Sequence, residues 1–89
     1  MTAKQIKALR TRTSLSQQDF ASLLGVSFVS LNRWENAHAK ATDLSLVLLT
    51  LVHRAMQAHP PTEVVQRIRG AGTVPVDLLR ELYRMEAKP

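Results

Sequence analysis

The chain contains no cysteine. Disulfide staples and thiolate zinc sites are therefore excluded, and the absence fits a reducing compartment, so a cytoplasmic location is expected. Histidine offers no substitute ligand set: His38, His53 and His59 are spaced so that no two imidazoles share a helix face. H-E-x-x-H, a nucleophile elbow, a P-loop and a pair of catalytic carboxylates are all missing. No metal, no cofactor and no enzymatic activity are expected. The longest apolar stretch, residues 44–52, is interrupted by Ser45 and Thr50 and falls far short of the ~20 residues that span a bilayer. The N-terminus lacks the apolar core of a signal peptide, so no membrane partner is expected. There is no internal repeat and no low-complexity run, and 89 residues make one small fold.

Positive charge is plentiful and unevenly placed. The net charge is +5 and the isoelectric point is near 10.5. Residues 1–42 hold six basic groups (Lys4, Lys7, Arg10, Arg12, Arg33, Lys40) against two acidic ones, Asp19 and Glu35. Residues 43–89 hold six against five. A concentration of this kind in one half is the footprint of a phosphate-binding surface; the alternative is a generally basic soluble protein.

Apolar periodicity predicts helices throughout and no strands. The first covers about residues 3–11, capped by Thr2, with Ile6 and Leu9 inward and Lys4 and Lys7 on a solvated face. Residues 17–36 then write two short amphipathic helices joined at Gly25. Ser16 is a cap candidate, and Asp19 three residues on has the spacing of a capping box. Phe20, Ala21, Leu23 and Leu24 form the inner face of the earlier helix. Gly25 stands where the chain must turn and accepts positive φ without a Cβ clash. Ser27 can cap the later helix, residues 28–36, whose Leu31 and Trp34 fall three apart on its inner face. Ala21 is small where the two helices approach. This is a helix-turn-helix pattern, whose second helix can enter the DNA major groove.

These residues resemble the Cro/CI-type (XRE-like) helix-turn-helix family of phage repressors, bacterial regulators and antitoxins. The likeness rests on Leu15-Ser16-Gln17, Ala21, Leu24-Gly25-Val26-Ser27 and Arg33-Trp34-Glu35, and covers roughly the first 58 residues. It implies an all-α, lambda-repressor-like bundle at residues 1–59, followed by a short helical extension at 60–89.

In the family, base edges are met by the start of the second helix and by residues one turn on. Carried over, these are Ser27, Phe28, Val29, Asn32 and Arg33. Arg33 could fork onto guanine, or clamp a phosphate or pair near Glu35. Asn32 could pair with adenine or be solvated. Phe28 and Val29 depart from the usual polar residues and can read only thymine methyls or shape, unless Phe28 packs on protein. Gln17 occupies the family's phosphate-binding position. Arg10, Arg12, Asn36 and Lys40 are further phosphate candidates, although Arg10 can instead pair with Glu35.

A fourth helix over residues 43–58, capped by Thr42, is stopped by Pro60-Pro61. It carries two apolar stripes, Leu44/Val47/Leu48/Leu51/Ala55 and Leu46/Leu49/Val52/Met56, and so must be covered on two sides. One can close the core under the first three helices; the other needs the C-terminal helices or a second subunit. Thr62 is the expected cap of a fifth helix ended by Gly70-Ala71-Gly72, and Pro75 lies near the start of a sixth. Leu78, Leu82 and Met85, flanked by Leu79 and Tyr83, are expected as a seam between two copies; the alternative is that they complete one monomeric core. The expected partner is double-stranded DNA, bound by a homodimeric repressor or autoregulator at an inverted repeat. The competing readings are an antitoxin, which would also bind a toxin protein, and a protein-interaction adaptor.

Overall fold

The computed structural model describes residues 1–86; Lys88 and Pro89, expected as a frayed end, lie outside them. Among the described residues the chain folds as α1 (Ala3–Thr13), α2 (Gln17–Leu24), α3 (Phe28–Glu35), α4 (Asp43–Ala58), α5 (Pro61–Ala71) and α6 (Pro75–Glu86), without strands. None of these helices is long and apolar enough to cross a membrane.

Local chemistry sets the helix ends. Thr2 caps α1 and forms a full capping box: its hydroxyl accepts from the N–H of Gln5 (3.1 Å), and its own N–H donates to the Gln5 side chain (2.8 Å). The helix runs two residues past the expected end because nothing breaks it before Ser14, which stops it in the left-handed region at φ 63°. Ser16 caps α2 through the N–H of Asp19 at 3.1 Å, half of the box that the spacing suggested. Thr42 occupies the cap position of α4, but its side chain makes no capping bond. At α5 the expected cap, Thr62, is displaced: Pro60 is the cap and Pro61 the first helical residue. The fixed φ of Pro61 starts the helix there, and its missing N–H would have been unpaired in any case.

All six helices feed one core. Ile6, Leu9, Phe20, Ala21, Leu24, Leu31 and Trp34 supply it from α1 to α3; Leu49, Val52 and Met56 from α4; Val64 and Ile68 from α5. Helix α5 is central, packing against α1, α2, α4 and α6, while α4 lies chiefly against α5 and α6. The cover beneath the first two helices therefore comes mainly from α5, not from α4 as its stripes suggested.

The C-terminal seam needs correction. Leu78, Leu82 and Met85 are fully buried within the chain. Helix α6 turns these residues onto α4 and α5 and satisfies the spare stripe of α4 internally, so they cannot meet a second copy without leaving this core. Of the other two, Leu79 is partly buried and Tyr83 is 58% exposed. Val76 and Tyr83 remain outward on α6, and Leu44 and Val47 remain outward on the first half of α4.

The turn between α2 and α3 is a Schellman closure. The N–H of Val26 donates to the carbonyl of Ala21 (3.0 Å) and that of Gly25 to Ser22 (3.3 Å), with Gly25 at φ 72°. Helix α3 ends the same way: His38 donates to Arg33 (2.8 Å), Ala37 to Trp34 (3.3 Å), and Ala37 sits at φ 60°. A Cβ on Gly25 would lie 3.1 Å from the Cβ of Thr73, in the α5–α6 connection. Gly25→Ala should therefore cost about 2 kcal/mol, from left-handed strain plus that contact. Ala37→Gly should relieve strain and stabilise by about 0.5–1 kcal/mol. Chemical denaturation of the two variants checks the opposite signs.

Candidate nucleic-acid interface

Helix α3 is anchored from beneath by Leu31 and Trp34, both buried. At about 100° per residue, Phe28, Asn32, Asn36, Val29 and Arg33 follow one another across the opposite arc. Phe28 is 47% exposed and Val29 64% exposed, so neither belongs to the buried core. Arg33 is exposed as well, and its Nη2 makes a long 3.5 Å approach to the carbonyl of His38. Among the described residues it pairs with no carboxylate. Ser27 caps α3: its hydroxyl accepts from the N–H of Ser30 (3.0 Å) and donates to the Ser30 hydroxyl (2.8 Å). That hydroxyl is already engaged with the helix, although the residue itself is exposed.

The expected phosphate candidates separate. Arg10 is not free for a phosphate. Its Nε and Nη2 donate to Glu35 Oε2 (2.7 Å) and Oε1 (3.0 Å), and its Nη1 donates to the carbonyl of Leu15 (3.0 Å). The pair is well enclosed, with the Arg10 and Glu35 side chains 17% and 3% exposed. Arg12 turns the other way and donates to the carbonyl of Met56 (3.0 Å), satisfying an orphan acceptor in the last turn of α4. Asn36 caps α3 and donates to the carbonyl of Asn32 (2.8 Å). Lys40 is exposed beyond α3. Lys4 and Lys7 are exposed on α1, as expected of a solvated face.

Gln17, the first residue of α2, joins this arrangement to α3. Its Nε2 donates to Glu35 Oε1 (3.0 Å), and its Oε1 accepts from Asn32 Nδ2 (3.1 Å). The link was not legible in the sequence. Gln17 and Asn32 lie far apart along the chain, and only the packing of α2 on α3 brings the amides together.

A family model described as helix-turn-helix matches residues 6–52, spanning α1 to the middle of α4. The chain belongs to this helix-turn-helix family. It is 38% identical over 56 residues to YiaG of Escherichia coli K12, described as an uncharacterized HTH-type transcriptional regulator, and equally to the YiaG proteins of strains CFT073 and O157:H7. The shared stretch covers 63% of this chain and 54% of each relative, so the chain spans about half the length of the curated relatives it matches. No solved structure matches.

In this helix-turn-helix unit the charge of Glu35 is held by its donors. Burial alone would push its carboxyl pKa up. The bonds from Arg10 and Gln17, with the positive charges of Arg10 and Lys7, outweigh burial and hold it below its ordinary value of 4.5. The bond to Glu35 likewise raises the guanidinium of Arg10 against the opposing effect of burial. The folded carboxyl thus releases its proton more readily than the unfolded one. The stabilisation is present above the ordinary carboxylate pKa and is lost as pH falls through that value toward the folded one. Glu35→Gln should lower stability at neutral pH by about 3 kcal/mol, because it leaves the enclosed Arg10 charge without its counter-ion. The gap between wild type and variant should narrow as pH drops below about 4.5. Thermal melts of both chains from neutral to acid pH check this.

Proposed function

We propose that the protein is a sequence-specific, double-stranded-DNA-binding transcriptional regulator, a repressor or autoregulator that binds an inverted repeat as a dimer. One observation carries the reading: Phe28, Val29 and Arg33 are outward on a helix whose opposite side is locked into the core. Exposed apolar side chains at the head of a helix need a use, and thymine methyls in the major groove supply one. Arg33, with no carboxylate partner among the described residues, is available to fork onto guanine O6 and N7. The excess of basic residues in the first half of the chain supports attraction to the backbone.

With Arg10 enclosed against Glu35 and Arg12 holding the carbonyl of Met56 through one nitrogen, the leading phosphate candidates are Lys40, Asn36, the second amide hydrogen of Gln17 and the N-terminus of α2. The dimer reading no longer rests on Leu78, Leu82 and Met85. It draws instead on the apolar side chains left outward, Val76 and Tyr83 on α6 and Leu44 and Val47 on α4. A two-fold pair would set its α3 helices about one helical turn of DNA apart, ~34 Å.

Enrichment of binding sites from random duplex DNA tests the reading directly, and an inverted repeat is the expected product. Arg33→Ala should relax preference at one position of each half-site, by about tenfold in discrimination. Lys40→Ala should weaken all sequences alike and reduce the salt slope by about one. Titrations at several salt concentrations separate the two effects; equal loss on specific and random DNA for Arg33→Ala would remove it from base reading.

A further inference from the structure

We infer that Glu35, acting through Gln17, fixes the side-chain amide of Asn32 in the one orientation that reads adenine. The inference rests on the DNA-binding reading above and names the base that one residue of that surface selects.

The argument is one of hydrogen-bond polarity. An ionised carboxylate can only accept. Glu35 accepts from Arg10 on both oxygens and from Gln17 on Oε1. Gln17 must therefore present its NH2 group to Glu35; turned over, its carbonyl oxygen would face a carboxylate oxygen. With the NH2 group so placed, Gln17 Oε1 faces Asn32. An acceptor there obliges Asn32 to present its own NH2 group, which lies 3.1 Å away. The donor–acceptor sense of two amides in series is thus set by one enclosed charge.

What remains on Asn32 is its Oδ1 and a second Nδ2–H. Asn32 falls between Phe28 and Val29 on the outward arc of α3 and is partly exposed. It keeps one acceptor and one donor, and these lie side by side when Gln17 takes the Nδ2 hydrogen trans to Oδ1. In the major groove adenine presents the complement, a donor at N6 and an acceptor at N7. Guanine presents two acceptors, O6 and N7, and Asn32 has only one donor left. Phe28 and Val29, one turn and slightly less before it, are suited to thymine methyls on neighbouring pairs, so all three favour an A·T-rich half-site. Glu35 and Gln17 are positioning residues in this scheme: neither needs to touch a base.

The test uses the full chain and the operator that wild type enriches from random DNA. Each adenine of a half-site is replaced in turn by 7-deazaadenine, which lacks the N7 acceptor. One adenine per half-site should emerge at which replacement weakens wild-type binding about tenfold but leaves Asn32→Ala unaffected. Gln17→Ala should lose sensitivity at that same adenine while keeping its response elsewhere in the half-site. Glu35→Gln, assayed where circular dichroism shows it folded, should do likewise. Gln17→Ala leaves the Arg10–Glu35 pair intact and carries the test alone if Glu35→Gln unfolds. An N7 dependence that persists in Gln17→Ala, or an operator with no adenine read through Asn32, would overturn this inference and leave the DNA-binding reading standing. Failure of wild type to enrich any sequence would overturn both.

Discussion

The enclosed carboxylate of Glu35 is the constraint on which the arrangement of the first three helices depends. It belongs to α3, takes two bonds from Arg10 of α1 and one from Gln17 of α2, and so ties three helices at one point. Removing a charge from water is costly unless it is fully paired. A side chain with 3% of its surface exposed meets that condition only if all three helices keep their places. Apolar packing of Phe20, Leu31 and Trp34 gives the unit its stability, but packing tolerates small slides. A bidentate guanidinium fork does not, because both N–H···O bonds must keep their geometry. The pair therefore contributes register among α1, α2 and α3.

The remainder of the chain acts as a foundation for that unit. Helix α5 packs against α1, α2, α4 and α6, and α6 fills the side of α4 that would otherwise face water. A short helix-turn-helix buries little surface by itself, and small domains are marginal for that reason. Enclosing Val64, Ile68, Leu78, Leu82 and Met85 enlarges one core in place of building a second. The consequence is a division of surfaces: α3 is left bare at one place, and Val76, Tyr83, Leu44 and Val47 are left bare elsewhere.

Much of this was legible in the chain before any coordinates. The helix-turn-helix segment could be read because its signals are local: Ser16 and Ser27 as caps, Gly25 at positive φ, Leu31 and Trp34 on one face. The same holds for α4 and its proline stop. The residues are silent where the deciding contact is not local. Two apolar stripes on α4 announce that two sides need cover, yet nothing in the residues says whether the cover is α6 or another subunit. Leu78, Leu82 and Met85 have the same spacing in either case. Arg10 and Arg12 look alike as cations on one helix; only the fold reveals that one meets Glu35 and the other a carbonyl of α4. The expected base-reading positions Phe28, Val29 and Arg33 lie on the surface because the burial of Leu31 and Trp34 leaves them no other direction. The Gln17–Asn32 bond had no such signal, since it depends on the closeness of two helices.

The contact between Gly25 and Thr73 ties two distant stretches of chain together. Backbone and Cβ atoms of Thr73 fill the space that a side chain at position 25 would need. The turn between α2 and α3 is therefore moulded against the joint between α5 and α6, and neither position is free to vary alone. A residue larger than threonine at 73 presses on the turn, and any side chain at 25 presses on the joint. In related proteins that keep this C-terminal packing, the two sites should drift in concert, glycine persisting at the turn wherever the joint lies this close. Where the joint has moved away, the turn should admit asparagine, which tolerates the same backbone angles.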